Sequence, residues 1–161
     1  MRRCKLTWLQ TNDRQQIQTR LLNLERFDGA TYLSLTRTAN QNITTAGSTI
    51  NWQREEENVG EWTWAGAAIT VPMAGYYQLN VNGNMSAKDT LHADITVNGI
   101  YVATMGTGDS KNTLFRFNLT RFFKAGDAVR VVMYTTTATH TLQVATEDSA
   151  SESPMLHMVQ L

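Results

Sequence analysis

Between Ala68 and Gly83 the chain keeps a strict two-residue alternation on either side of a built-in corner. Ile69 and Val71 share one side, with Thr70 on the other. After Pro72-Met73-Ala74-Gly75, the residues Tyr77, Leu79 and Val81 point one way, while Gln78, Asn80 and Asn82 point to water. Side chains on a strand alternate between faces, so this pattern describes a sheet with one buried face. Pro72 has no N–H to give a ladder, and Gly75 is able to take a positive φ. The segment is therefore predicted to be two antiparallel strands joined by a tight reversal, with Pro72 and Gly75 fixing the corner.

The same logic repeats along the rest of the chain. Tyr32–Arg37 alternates, Thr38–Ser48 reads as a polar loop, and Thr49–Trp52 reads as a short strand. Glu55, Glu56 and Glu57 begin what reads as an acidic loop, and Trp62 and Trp64 share a face beyond it. Leu91, Ala93, Ile95 and Val97 alternate with polar residues up to Asn98-Gly99, the strongest short hairpin signal in the sequence. Phe115, Phe117 and Leu119 form a further one-sided strand, and Ala125-Gly126-Asp127 turns into Ala128–Tyr134. Eight to ten short strands with regular turns predict an all-β, antiparallel sandwich, most simply a jelly roll. Two strands, Ala128–Tyr134 and Met155–Leu161, carry apolar residues on both faces. A sandwich of this size needs a second surface to cover them, which predicts self-association.

The 161 residues suit one domain and a short appendage. Charged residues are 17% of the chain, below the roughly 25% that is typical, and the net charge of zero is unevenly spread. Over residues 1–20, Arg2, Arg3, Lys5, Arg14 and Arg20 stand against Asp13, giving +4 and leaving −4 for the remainder. Such a body argues against a broad nucleic-acid footprint. No apolar run reaches the roughly 18 residues of a membrane span. One cysteine, Cys4, allows no internal disulfide. The basic N-terminal residues lack the apolar core of a signal peptide, so the sequons at Asn42, Asn84 and Asn118 carry little weight. Residues 1–28 are the one helical candidate, capped by Thr11, Asn12 or Asp13, with Ile17, Leu21 and Leu24 on one side. The segment suits a docking arm, helical or extended, that contacts a symmetry mate or a larger assembly. A helix packed on its own domain and a disordered tail are the alternatives.

Taken in order, Thr49-Ile50-Asn51-Trp52, the Ile69–Leu79 segment with its Pro-x-x-Gly-x-Tyr corner, Val97-Asn98-Gly99, Lys124–Val129 and the apolar C-terminal strand resemble the complement-q / tumour necrosis factor (TNF) superfamily. The resemblance covers about residues 30–161. It implies a ten-stranded TNF-like jelly roll over residues 29–161, assembled as a homotrimer, with the arm over 1–28. The family usually has Phe where Trp52 stands and a more aromatic final strand. Its animal members are secreted behind collagen-like stalks, and this plan of a short arm plus jelly roll looks more like the phage and bacterial surface members. Under that resemblance Val132, Tyr134, Met155, His157, Val159 and Leu161 are expected at the trimer interface.

Chemistry for catalysis is sparse. His92, His140 and His157 fall on three separate strands without metal-ligand spacing, and Cys4 has no neighbouring His. No nucleophile elbow, phosphate loop or dinucleotide fingerprint occurs, so no cofactor is expected. Three consecutive glutamates on an extended segment cannot all face one calcium ion, and Trp62 and Trp64 suit a core or interface better than a sugar platform. The resulting expectation is a non-enzymatic bacteriophage virion protein, either a head decoration protein or a short head or tail fibre, assembled in the host cytoplasm. Arg2, Arg3, Lys5, Trp8, Leu9, Ile17, Leu21 and Leu24 would dock it to capsid or tail proteins of the particle. The alternative is a receptor-binding module whose loops around residues 38–48, 105–112 and 145–153 recognise a host surface glycan or protein. A secreted complement- or TNF-like ligand is a third reading.

Overall fold

The computed structural model describes residues 31–87, 89–109, 114–144 and 153–161. The chain divides into two units, Met1–Ala30 and Thr31–Leu161. The first, with the docking residues expected on it, lies outside the described residues, as does most of the loop around 145–153.

The second unit is built from antiparallel strands in two sheets. In the first sheet, β7 (Gly75–Met85) is central and pairs along its length with β10 (Leu114–Phe123). Its other edge is shared by β13 (Met155–Gln160) and, near its end, by β12 (His140–Gln143). Beyond β13 lie β1 (Tyr32–Thr36) and β4 (Arg54–Val59), and β2 (Gln41–Ile43) flanks β12. In the second sheet β11 (Ala128–Thr135) pairs with β8 (Thr90–Val97), which pairs in turn with β9 (Ile100–Asp109). The opposite edge of β11 holds β6 (Ala68–Thr70) and β3 (Ser48–Thr49), with β5 (Thr63–Ala65) outside β6. This is an all-β jelly-roll sandwich with more short strands than the sequence pattern resolves.

The corner at Pro72–Gly75 does not close a hairpin. β6 belongs to the second sheet and β7 to the first, so the chain crosses between layers there. Ile69 and Val71 do point inward, as do Tyr77, Leu79 and Val81, but they meet across the core instead of along a ladder. Alternation reports which side of a strand is buried and not which sheet holds it. Gly75 also needs no positive φ. Its requirement is space, because a Cβ there would sit 2.7 Å from Gln160 Nε2. Tyr77 secures the corner by donating its hydroxyl to the Met73 carbonyl at 2.7 Å.

The Asn98-Gly99 signal gives the expected β8–β9 hairpin, with φ of 54° at Asn98 and 81° at Gly99, as a two-residue reversal of this hand requires. Asn98 then ties this turn to the next strand, accepting from Ala128 N at 3.0 Å and donating to Asp127 Oδ1 at 3.1 Å. Gly126 N in turn donates to the Val71 carbonyl at 2.8 Å, so these turns share one end of the sandwich with the end of β6.

The acidic stretch is a strand, not a loop. β4 is exposed throughout and pairs with β1, with a register shift between Ser34 and Leu35. An edge strand wet on both faces shows no hydrophobic alternation, and its charges discourage further strand addition. The loop expected around 105–112 likewise begins as strand, since β9 continues to Asp109. Trp62 is buried, its ring edge-on to Tyr77 at 5.4 Å, and Trp64 packs partly against the same core while donating Nε1 to Glu55 Oε2 at 3.0 Å.

Candidate interaction surface

Strand pairing fixes which residues share the outward face of the first sheet. One row across β10, β7, β13, β1 and β4 reads Thr120, Gln78, Val159, Tyr32 and Val59. The next reads Asn118, Asn80, His157, Ser34 and Glu57, and the third Arg116, Asn82, Met155, Thr36 and Arg54. The middle of this face is therefore amide, hydroxyl and apolar, with charge confined to the outer strands β10 and β4.

At the middle, the Tyr32 hydroxyl and His157 Nδ1 lie 2.9 Å apart, their rings 18° from parallel. Burial lowers the His157 pKa below the ordinary imidazole value, opposed by the charge of Glu57. At one end of the face, Tyr76 and Phe122 meet edge to face at 5.4 Å, exposed 60% and 48%. Leu161 continues β13 there, its N donating to the Tyr76 carbonyl at 2.9 Å, and its side chain is 71% exposed. Exposed Val59 extends the apolar area on the β4 side. Tyr76 and Phe122 were not singled out by sequence reasoning. The signal was the pairs Tyr76-Tyr77 and Phe122-Phe123, in which each second ring is buried and each first ring must project outward.

The residues expected at a subunit contact divide between the two outer faces. Met155, His157, Val159 and Leu161 lie on the first sheet. Val132 and Tyr134 project from β11 in the second. There Tyr134 is covered in part by the chain itself, since a Cβ on Gly47 would fall 2.3 Å from its ring.

No group of three His, Cys, Asp or Glu able to hold a metal occurs among the described residues. Each histidine instead has surroundings of its own. His140 Nε2 lies 3.2 Å from Asp89 Oδ2. Asp89 is buried and accepts hydrogen bonds from Thr90 N at 2.7 Å, Thr136 Oγ1 at 2.7 Å, Thr136 N at 3.2 Å and Thr137 N at 3.0 Å. Burial alone would raise its pKa, but the bonds from Thr136, Thr137 and Thr90 outweigh it and hold the carboxyl well below the usual range. The cluster pins the segment after β11 to the start of β8. His92 faces outward from the second sheet beside Asp94.

No protein-family model matches the sequence, and no curated protein matches it. Solved structures do. Murine APRIL in a crystal structure at pH 8.0 superposes with a TM-score of 0.57 at 15% identity, covering 82% of this chain and 99% of that one. The PRD1 vertex protein P5 superposes with a TM-score of 0.55 at 13% identity, covering 81% of this chain and 71% of that one. With its two antiparallel sheets, its layer-crossing corner and this likeness, the body of the chain has the TNF-like jelly-roll fold.

Proposed function

We propose that this chain is a non-enzymatic, homotrimeric structural protein of a bacteriophage virion, docked to capsid or tail proteins through residues 1–28 and projecting its jelly roll outward as a head decoration or short fibre. The observation that carries the reading is the outward face of the first sheet. Its apolar end of Tyr76, Phe122, Leu161, Val159 and Val59 and its largely uncharged centre of Tyr32, Asn80 and His157 have the composition of a self-contact, with charge at the margins. A threefold arrangement lets three copies of one such face close on an axis, with no surface left to propagate. Met155, His157, Val159 and Leu161 belong to this interface. The fold shared with the PRD1 vertex protein P5 supports placement on a particle. The arm residues Arg2, Arg3, Lys5, Trp8, Leu9, Ile17, Leu21 and Leu24 combine cationic and apolar side chains suited to an acidic, partly apolar socket.

Light scattering of the full chain is expected to give three chain masses, and Tyr76→Arg with Phe122→Arg is expected to give one. A wild-type monomer at micromolar concentration overturns the assembly. Deleting residues 1–27 is expected to leave the trimer intact and remove the chain from purified particles, read by mass spectrometry. Persistence of the truncated chain on the particle overturns the docking role.

A further inference from the structure

The outward face of the second sheet, on the side away from the proposed self-contact, carries an open cleft of about 420 Å³. That volume lies within the roughly 300–1,000 Å³ of small-ligand sites. His92 and Asp94 of β8 and Tyr134 of β11 line it, Thr104 of β9 stands on one side, and Thr45 of the β2–β3 turn on the other.

The backbone of β9 departs from regularity where it meets this cleft. The β8–β9 ladder skips a residue between Ala93 and Asp94 and again between Ile95 and Thr96, so that Asp94 opposes Thr104 and Thr96 opposes Tyr101. In a regular strand Tyr101 and Thr104, three residues apart, would fall on opposite faces. The irregularity between them turns both outward, the re-aiming that bulges are known to provide. The Tyr101 hydroxyl then lies 3.0 Å from Thr104 Oγ1, and Thr104 Oγ1 donates to Asp94 Oδ1 at 2.8 Å. Thr104 has one hydroxyl proton and gives it to the carboxylate, so Tyr101 donates to Thr104. This orients Asp94 and leaves its Oδ2 without a hydrogen-bond partner among the described residues. Across the cleft, the turn at Gly47 packs against the Tyr134 ring and fixes its position.

We propose that this cleft binds a neutral carbohydrate, one or two pyranose units of a surface glycan. Adjacent sugar hydroxyls are donors that a held carboxylate accepts, and threonine hydroxyls serve as either partner. The Tyr134 and His92 rings offer faces and edges for the sugar's C–H surface. One carboxylate with no Lys or Arg in the lining disfavours phosphorylated, sulfated or sialylated ligands. The polar rim disfavours a purely apolar one. This site goes beyond the virion role and does not depend on the trimer.

The test uses the full chain on an array of immobilised neutral and anionic oligosaccharides, followed by saturation-transfer NMR with the methyl glycosides of the sugars retained. The wild type is expected to retain neutral glycans. Asp94→Asn, which keeps an acceptor for Thr104, and Thr104→Val are each expected to weaken retention at least tenfold with an unchanged melting temperature. Lys124→Ala, exposed in the turn between β10 and β11, is expected to bind as wild type. Retention of no glycan, retention of anionic glycans alone, or wild-type binding by both cleft variants overturns the proposal. A monomer that still binds neutral glycans supports this site while removing the trimer reading.

Discussion

The Tyr32 hydroxyl and His157 Nδ1 meet at 2.9 Å across the β1–β13 pairing, on the first sheet's outer face, two strands from Glu57. Burial favours the neutral imidazole, so the folded pKa lies below the unfolded value of 6.5. A base with a depressed pKa stabilises the fold above its unfolded pKa, and that contribution is lost as pH falls through it. Stability is therefore expected to decline as pH is lowered from above 6.5 into the acid range, and His157→Gln to flatten the decline while His92 and His140 stay in place. Urea denaturation midpoints across that range measure it. An identical slope in both proteins would remove His157 from the account.

Asp89 predicts a different pH signature. Its carboxylate accepts bonds from Thr90, Thr136 and Thr137 at a buried site, and replacing it by Asn turns an amide N–H₂ toward donors. Asp89→Asn is expected to cost about 1.5–3 kcal/mol at pH 7, the usual range for a hydrogen bond to a charged group. Because the folded pKa is depressed, the wild-type advantage is present above about pH 4 and is lost on further acidification. Denaturation at neutral pH and again well below the unfolded carboxylate pKa should show the gap between the two proteins narrowing. A gap that widens in acid contradicts the assignment.

The β8–β9 turn isolates a backbone effect. Gly99 has φ of 81° with no neighbouring atom within 4 Å of where a methyl would stand, so Gly99→Ala meets no clash. Its whole cost is the left-handed conformation, about 1–2 kcal/mol. Asn98→Ala carries a smaller backbone cost, because Asn98 already has a Cβ, but it also removes the links to Ala128 and Asp127. Equilibrium unfolding should rank Asn98→Ala as the more damaging change, and the reverse order would mean the side-chain ties contribute little.

The jelly roll was legible because β7, β8 and β10 each bury one face, and because Asn98-Gly99 admits few backbone solutions; β11, whose apolar residues fall on both sides in the sequence, buries only one of them. Layer assignment was not. Ile69 and Tyr77 alternate identically whether their strands are hydrogen-bonded neighbours or face each other across the core. Glu55–Glu57 hid a strand, since an edge strand exposed on both sides has no period to read. The two irregularities in the β8–β9 ladder were hidden for a related reason: they break the parity on which strand reading depends, so Tyr101 and Thr104 looked unrelated. Asp89 belongs to no sequence pattern, and its partners Thr136 and Thr137 are brought to it only by the β8–β11 pairing. The apolar end of the outer face was recoverable from the doubled aromatics Tyr76-Tyr77 and Phe122-Phe123.

The two sheets come into close contact where Gly106 of β9 faces Phe117 of β10. A Cβ on Gly106 would stand 2.7 Å from Phe117 Cδ1. Gly106 has no positive φ, so alanine suits the backbone and any cost arises from packing alone. Overpacking of this kind costs about 1–3 kcal/mol. Phe117→Leu removes the ring and creates space, destabilising by itself, yet it should relieve the added methyl. The double variant is therefore expected to be more stable than the sum of the single changes, by at least about 0.5 kcal/mol, the threshold at which contacting residues are distinguished from independent ones. Additive losses would show that the sheets part freely at this point and that the ring does not set their spacing.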